Sequence, residues 1–489
     1  MKLKVKYVNL STGGPIVSVI NEEDAKKLDL YALDRVKIKR LKTEKEIVAV
    51  VDISTRGVRP GEIGLFDETI KKLDIPEGTH VEVEETERPK SLDLIRKKLD
   101  GAPLTKEEMD TIVEDVLENN LSEPEITYFI SGAYTRGMNL QEATYLTQAI
   151  VDRSYRIKLD RKIVLDKHCA GGVPGNRTTM VIVPIIAALG YTMPKTSSRS
   201  ITSASGTADT MEVLAPVCLS HEKIIKTIKE TNACMIWEAA LNPMGVDELF
   251  IKIRHPLSLD PEGLLLSSVM AKKKSVGATH VLIDLPFGEG AKFTYKSAKI
   301  LRMKFIKIGK QLGIKVKVIL TDGSQPIGNG VGPVWEARDV LTVLQGAGPN
   351  DLRDKSIMMA TILLKMAGLK NAEGKVIEAI DSGAAYQKML EIIQAQGGSK
   401  NIKLPKPKYF HQIMSKKAGT VIKIDNKLIA KIARIAGAPK DKAAGLYLRV
   451  HKGIRVRKGK ELFTIYAENK KKLEYAKKIA EHHEAIHVS

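Results

Sequence analysis

Four times between residues 162 and 333 an apolar run ends in a glycine-bearing loop and gives way to a helical pattern. Few folds accommodate that order. Parallel strands need a crossover connection, usually a helix, so alternating strands and helices read as a largely parallel sheet. Ligands of open α/β sheets collect beyond the carboxyl ends of the strands. The four loops are therefore expected at one end, around one cleft.

The first loop runs from Asp166 to Asn176, between the strand Ile163-Val164-Leu165 and a helix starting near Thr178. Its glycines allow close backbone approach, and the helix N-terminus offers free N–H groups to an anion. Lys167 adds a full charge; a plain tight turn would read the same way. The second loop is more unusual. Nine of the fifteen residues from Thr196 to Thr210 carry hydroxyls, with Arg199 and Gly206 among them and Asp209 and Glu212 opening the next helix. Dense hydroxyl donors beside an arginine suit phosphate oxygens. The third loop is Gly288-Glu289-Gly290-Ala291-Lys292. The fourth runs from Thr321-Asp322-Gly323 to Gly332-Pro333.

The 489 residues suggest about three domains at roughly 150 residues each, and the pattern changes divide them further. Residues 1–88 are β-rich with an internal repeat: Lys26-Lys27-Leu28-Asp29 recurs 45 positions later as Lys71-Lys72-Leu73-Asp74. A doubled, strand-rich unit predicts a small pseudo-symmetric barrel used in assembly. Residues 89–160 read as a helical domain. Thr105 with Glu108 and Ser122 with Glu125 are spaced as capping boxes. Residues 161–404 form the α/β part and 405–489 a basic α+β domain. The expected fold class is thus α/β: a helical domain plus an α/β domain with a mostly parallel sheet, preceded by a small β-barrel-like domain and followed by an α+β domain.

Charge and cysteines narrow the function. The net charge is +20, but residues 401–489 alone carry 22 Lys/Arg against 7 Asp/Glu. The other 400 residues are near balance at +5. With 5% aromatics and no aromatic–basic interleaving, nucleic acid is not the expected partner. Cys169, Cys218 and Cys234 are too scattered for a metal or disulfide framework, which fits a cytoplasmic setting. The apolar run from Met180 to Gly190 is too short to span a bilayer, which takes about 20 residues, and the N-terminus lacks a signal-peptide block. His483-Glu484-Ala485-Ile486-His487 has the two-histidine zinc-protease spacing, but it lies at the very end of the chain. A solvated, partly helical tail is expected there, and no metal site.

Lys167-His168-Cys169-Ala170-Gly171-Gly172, Ser197-Ser198-Arg199 and the run from Ser205 to Glu212 together resemble the thymidine phosphorylase family, from about residue 90 to the C-terminus. The N-terminal extension and the hydroxyl-rich loop look most like that family's archaeal AMP-specific branch. The resemblance implies a cleft between a helical and an α/β domain, with a segment near 244–277 returning to the helical one. It implies phosphate binding by Lys167, Ser197 and Thr207, and base contacts by Arg254, Ser268 and Lys272. Nucleotide binding falls on Gly172, Ser198, Arg199, Ser200, Ile201, Thr202, Ser203, Thr207, Ser268 and Lys292, and the proton donor on Asp260. Departures from the pyrimidine enzymes are informative. Cys169 and Ala170 replace Ser-Thr, losing two hydroxyls. Ser198, Ser200 and Thr202 stand where those enzymes have glycine, gaining donors where a 5′-phosphate would need them. Ile251 replaces the aromatic residue three before Arg254, which puts the pyrimidine contacts in doubt.

The implied reaction is phosphorolysis of a nucleoside 5′-monophosphate (AMP, and CMP or UMP as further candidates) to free base and ribose 1,5-bisphosphate. The co-substrate is inorganic phosphate, and no cofactor is expected. A purine departs well only when protonated, so a general acid is required. Asp260 is the first candidate, although its local sequence by itself favours a helix cap before Pro261 and Glu262, and His168 is the second. The alternatives are a pyrimidine nucleoside phosphorylase and a magnesium-dependent phosphoribosyltransferase using Asp247 and Glu248. A homodimer or larger homo-oligomer is expected.

Overall fold

The structure is a computed structural model that describes every residue except 14, 15, 42, 44, 87, 201, 202, 241–244 and 258. Ile201 and Thr202 therefore lie outside the described residues. The chain divides into two compact units, Met1–Arg153 with Met244–Ser267, and Ser154–Pro243 with Ser268–Ser489.

The first unit begins with a closed barrel. Its elements are β1 (Lys2–Tyr7), β2 (Val17–Asn21), α1 (Glu22–Lys27), β3 (Arg35–Arg40), β4 (Glu46–Ser54), β5 (Glu62–Leu65), α2 (Asp67–Leu73) and β6 (His80–Glu85). The strands close in the order β1-β5-β2-β4-β3-β6. The sequence repeat is visible in the pairing. β1 lies parallel to β5 as β4 does to β2, and β1 is antiparallel to β6 as β4 is to β3. Asp29 and Asp74 both turn the chain in the left-handed region. Strand side chains alternate in and out, so Leu3, Val5, Val36, Ile38, Val81 and Val83 fill the interior.

Four helices follow: α3 (Ser91–Leu99), α4 (Lys106–Leu117), α5 (Glu123–Thr135) and α6 (Leu140–Asp152). The Thr105 N–H donates to Glu108 Oε2 at 2.8 Å, and the Ser122 N–H to Glu125 Oε2 at 2.7 Å. A third box, Asn139 with Glu142, starts α6. Glu142 also receives the buried Lys98 ammonium at 2.7 Å. In the returning segment the helix Val246–Arg254 sets Phe250 against Phe129, ring centroids 5.6 Å apart.

The second unit is built on parallel strands, as the alternating pattern predicts. Leu165–Cys169, His280–Phe287 and Lys315–Asp322 form one sheet, with His280–Phe287 central. Met193–Ser197 and Ala233–Trp237 form a parallel pair, joined to the first sheet by a bridge between Val164 and Thr192. Parallel register puts all the strand ends that carry the four loops on one side. The apolar run after the first loop is a fully buried helix, Thr178–Ala188. It packs with Pro333–Leu344, Asn350–Met366 and Ala384–Gln396 through Ile182, Ile186, Val340, Met359, Leu363 and Ile393.

The basic C-terminal region is joined to this unit. The short strand Gly330–Val331, part of the fourth loop, pairs with Gly445–Leu448, which continues to Glu461–Ala467 and Tyr409–Met414. The end of the chain differs from expectation. The helix Lys470–His482 stops at His483, and Ile486–Val488 pairs as a strand with Gly419–Ile424. Backbone pairing removes the fraying, and the two histidines do not share a helical face. Among the described residues no cluster could hold a metal ion and no helix is long and apolar enough to cross a membrane.

Candidate active site

The first loop rests on a strand whose middle is charged. Lys167 is fully buried, and its ammonium donates to Thr178 Oγ1 at 2.7 Å and Thr179 Oγ1 at 3.3 Å. Among the described residues it has no ion-pair partner. Burial lowers its pKa, with Cys169 and Asp284 opposing the shift. A buried cation whose partners are neutral hydroxyls has one N–H left and an uncompensated charge, which an anion would satisfy. Gly171 closes the loop against the third strand: a Cβ there would lie 2.8 Å from Pro286 Cδ. Gly172 is exposed at the loop tip.

Beneath the loop lies a cluster of buried charges. Asp166 sits between Lys273 at 2.6 Å and Lys195 at 3.4 Å. Asp284 meets Lys355 at 2.9 Å and accepts from the Thr321 hydroxyl at 2.6 Å. Burial pushes the Asp284 carboxyl up, but Lys355 and Lys167 outweigh it and the net shift is downward. Three lysines thus share two carboxylates. Burial, with Lys273, Lys195, Lys272 and Lys167 around it, holds His168 well below the ordinary histidine range. It is therefore neutral at pH 7, with no spare proton to give. On the helix Glu262–Ser275, Lys272 donates to Ser268 Oγ at 3.2 Å and pairs with Glu238 at 3.0 Å.

The hydroxyl loop is tied largely to itself. Ser200 Oγ donates to the Ser203 carbonyl, and Ser203 Oγ to the Ser205 carbonyl at 3.1 Å. Asp209 Oδ2 accepts from the Ser200 N–H at 2.7 Å and the Gly206 N–H at 2.9 Å. This brings the two legs together, so a Cβ on Gly206 would fall 2.6 Å from the Ser198 carbonyl oxygen. Arg199 reaches Asp209 at 3.2 Å and Glu212 at 2.5 Å, with its guanidinium 4.8 Å from the Trp237 ring centroid. Its charge is already neutralised, so its visible work is to hold the loop. Ser197 Oγ donates to the Ile236 carbonyl at 3.2 Å. Among the described residues the Ser198 and Thr207 hydroxyls make no hydrogen bond.

The other loops lie under the C-terminal region. Lys423 pairs with Glu289, Lys452 Nζ donates to Ser324 Oγ at 3.3 Å, and Asn426 Nδ2 to the Gly323 carbonyl at 2.8 Å. Lys442 pairs with Glu212 at 2.6 Å. Lys292 is exposed on the third loop, 5.5 Å from the Phe293 ring centroid. Lys167, Gly172, Ser197, Ser198, Arg199, Ser200, Ser203, Thr207, Ser268, Lys272 and Lys292 all belong to the second unit; Arg254 and Asp260 belong to the first. There the Arg254 guanidinium contacts Asp260 and donates to the Leu259 carbonyl at 3.3 Å.

Family comparisons agree with this layout. Residues 92–154 match the helical bundle domain of a glycosyl transferase family and residues 161–386 its a/b domain. Residues 420–488 match the pyrimidine nucleoside phosphorylase C-terminal domain. An AMP phosphorylase of Thermofilum pendens is 41% identical over 485 residues, 98% of this chain and 94% of that protein. One from Thermococcus kodakarensis is 42% identical over 100% of this chain and 98% of its own length. The chain belongs to the AMP phosphorylase family. A Legionella pneumophila protein with a thymidine phosphorylase name is 41% identical over 88% of this chain and 85% of its own, so identity alone does not separate the substrates. Anthranilate phosphoribosyltransferase from Thermus thermophilus shares the fold, with TM-score 0.54 and 16% identity over 62% of this chain and 99% of its own.

For this AMP phosphorylase relative, sequence reasoning passed over Asp166, Lys195, Lys273, Asp284 and Lys355. The signal was present. Asp284 interrupts the apolar run of the strand His280–Phe287, and a charge at such a place needs a partner. Lys195 follows Met193-Pro194 in a strand that ends in Thr-Ser and gives a weaker signal.

Proposed function

We propose that the chain cleaves AMP with inorganic phosphate, releasing adenine and ribose 1,5-bisphosphate. The near full-length similarity to AMP phosphorylases supports this. Within the site, the observation that carries the reading is Lys167, a buried ammonium with only hydroxyl partners at the mouth of a glycine loop. It would hold the attacking phosphate with the backbone of that loop. The hydroxyl loop, with Ser198 and Thr207 uncommitted, would take the 5′-phosphate. Phosphate adds to C1′ from the face opposite the base and the C1′–N bond breaks, so configuration inverts. The sugar passes through an oxocarbenium-like state.

Asp260 is the proposed proton donor to the leaving base, and the neutral state of His168 favours that choice. The Arg254 guanidinium contacts Asp260, and on this reading the contact opens as substrate arrives and frees the carboxyl. Ser268, Lys272 and Arg254 are the proposed base contacts. The reaction draws on no metal or cofactor, and a homodimer or larger homo-oligomer is the proposed assembly.

The test is incubation with AMP, with and without phosphate, reading free adenine and the bisphosphorylated sugar. Adenine is expected only with phosphate, and a chelator should leave the rate unchanged. Adenine release without phosphate would mean a hydrolase. Asp260→Asn should lower kcat by about 10²- to 10⁴-fold while calorimetry still detects AMP binding; an unchanged kcat would reject the assignment.

A further inference from the structure

We infer that Arg177, acting with Glu336, is a positioning residue for the 5′-phosphate half of the site. The inference rests on the reading of the hydroxyl loop as that half. Arg177 ends the first loop and precedes the helix Thr178–Ala188, yet its side chain serves the second loop. It is nearly buried, and each of its guanidinium nitrogens is used. Nη2 donates to the Ser205 carbonyl, and Nη1 to the Asn176 carbonyl at 3.1 Å. Nε donates to Glu336 and, at 3.2 Å, to Thr210 Oγ1.

Glu336 is buried on the helix Pro333–Leu344, and its other oxygen accepts from the Gly332 N–H at 3.0 Å. One ion pair therefore ties together the first, second and fourth loops. The Ser205 carbonyl continues the path: it also accepts from Ser203 Oγ at 3.1 Å, and the Ser203 carbonyl accepts from Ser200 Oγ. The guanidinium thus anchors the hydrogen-bonded run that reaches Ser200. A buried ion pair is weak as a source of stability. A planar guanidinium bonded in several directions is strong as a geometric constraint.

Arg177 touches the first loop only at its far end, through the Asn176 carbonyl; the Lys167 end has supports of its own. Lys167 is held by Thr178 and Thr179, and the Ala170 N–H donates to the Asp284 carbonyl at 3.0 Å. Losing the guanidinium should loosen recognition of the 5′-phosphate and leave recognition of inorganic phosphate nearly intact. A general structural role would lower the melting temperature and the active fraction without such a split.

The experiment compares wild type, Arg177→Ala, Arg177→Lys and Glu336→Gln in the full chain. KM is read for AMP and for phosphate, with AMP affinity read by calorimetry. Arg177→Ala should raise KM and Kd for AMP about tenfold or more and move the phosphate KM by less than about threefold. Arg177→Lys should recover part of the loss, and Glu336→Gln should shift AMP in the same direction by less. Equal shifts for both substrates would overturn the inference, and so would lower melting with unchanged KM. If Arg177→Ala does not fold, the Lys and Gln variants decide by the same split. A wild type that binds AMP but releases no adenine would defeat the proposed reaction while the calorimetric comparison still judges Arg177. A wild type that does not bind AMP would overturn both.

Discussion

The first and second loops, the two proposed phosphate sites, are built by opposite means. In the first, one lysine is buried with its charge unspent, since its partners are the neutral hydroxyls of Thr178 and Thr179. In the second, the cation Arg199 is committed to Asp209 and Glu212, and the hydroxyls of Ser200, Ser203, Ser205 and Thr210 bond to the loop itself. The first loop offers an anion charge in a dry setting. The second offers dipoles held in place by charges that face each other. Counting cations near a proposed phosphate site would rank the two alike; asking which cations are still available separates them.

The most severe way to break this contrast is Lys167→Met. It removes the unspent charge while keeping the side chain's length. Removing one such group costs about 10²–10³ in kcat, and phosphate binding should suffer most. Melting temperature should hold or rise, because an apolar side chain replaces a buried cation without an acidic partner. A modest rate loss, or a loss through unfolding, would show that Lys167 is structural.

A sharper cut on the second loop is Asp209→Asn. It weakens the acceptor of two backbone N–H groups and half of the pairing of Arg199. The KM for AMP should rise about three- to tenfold, with the phosphate KM steady. The reverse pattern would assign the loops the other way round.

The smallest expected effect is a pH dependence. The Glu212 carboxyl is drawn down from 4.5 to about 2, chiefly by the hydrogen bond from Arg199, with Lys442 adding to it against burial. A carboxyl with a depressed folded-state pKa stabilises the fold above its unfolded pKa, and that contribution fades as the pH falls through the folded one. The melting-temperature gap between wild type and Glu212→Gln should be constant near neutrality and close between pH 4.5 and about 2. A gap that persists in acid would mean Glu212 acts by packing.

The barrel, the caps and the loop layout were legible because each leaves a periodic or short-range trace. The offset of 45 between the two Lys-Lys-Leu-Asp copies reappears as matching strand pairs, and Thr105 and Glu108 lie only three residues apart. The use of the site's charges was not legible. Asp166 and Lys273 are separated by 107 positions, Arg177 and Glu336 by 159, and no local pattern joins them. The same distance hid part of the purpose of the basic C-terminal region. Lys423, Lys442 and Lys452 meet Glu289, Glu212 and Ser324 on the loops, so some of its surplus charge braces the site. The tail was misread for a related reason: His483 to His487 looked like a fraying end because its strand partner, Gly419–Ile424, lies more than sixty positions earlier.

The central claim is that the second loop exists to recognise a 5′-phosphate. The most direct measurement is kcat/KM for AMP against adenosine at saturating phosphate. Loss of charge-assisted bonds to one phosphate should cost adenosine about a hundredfold or more. Adenosine or thymidine turned over as well as AMP would contradict the claim and make the chain a nucleoside phosphorylase.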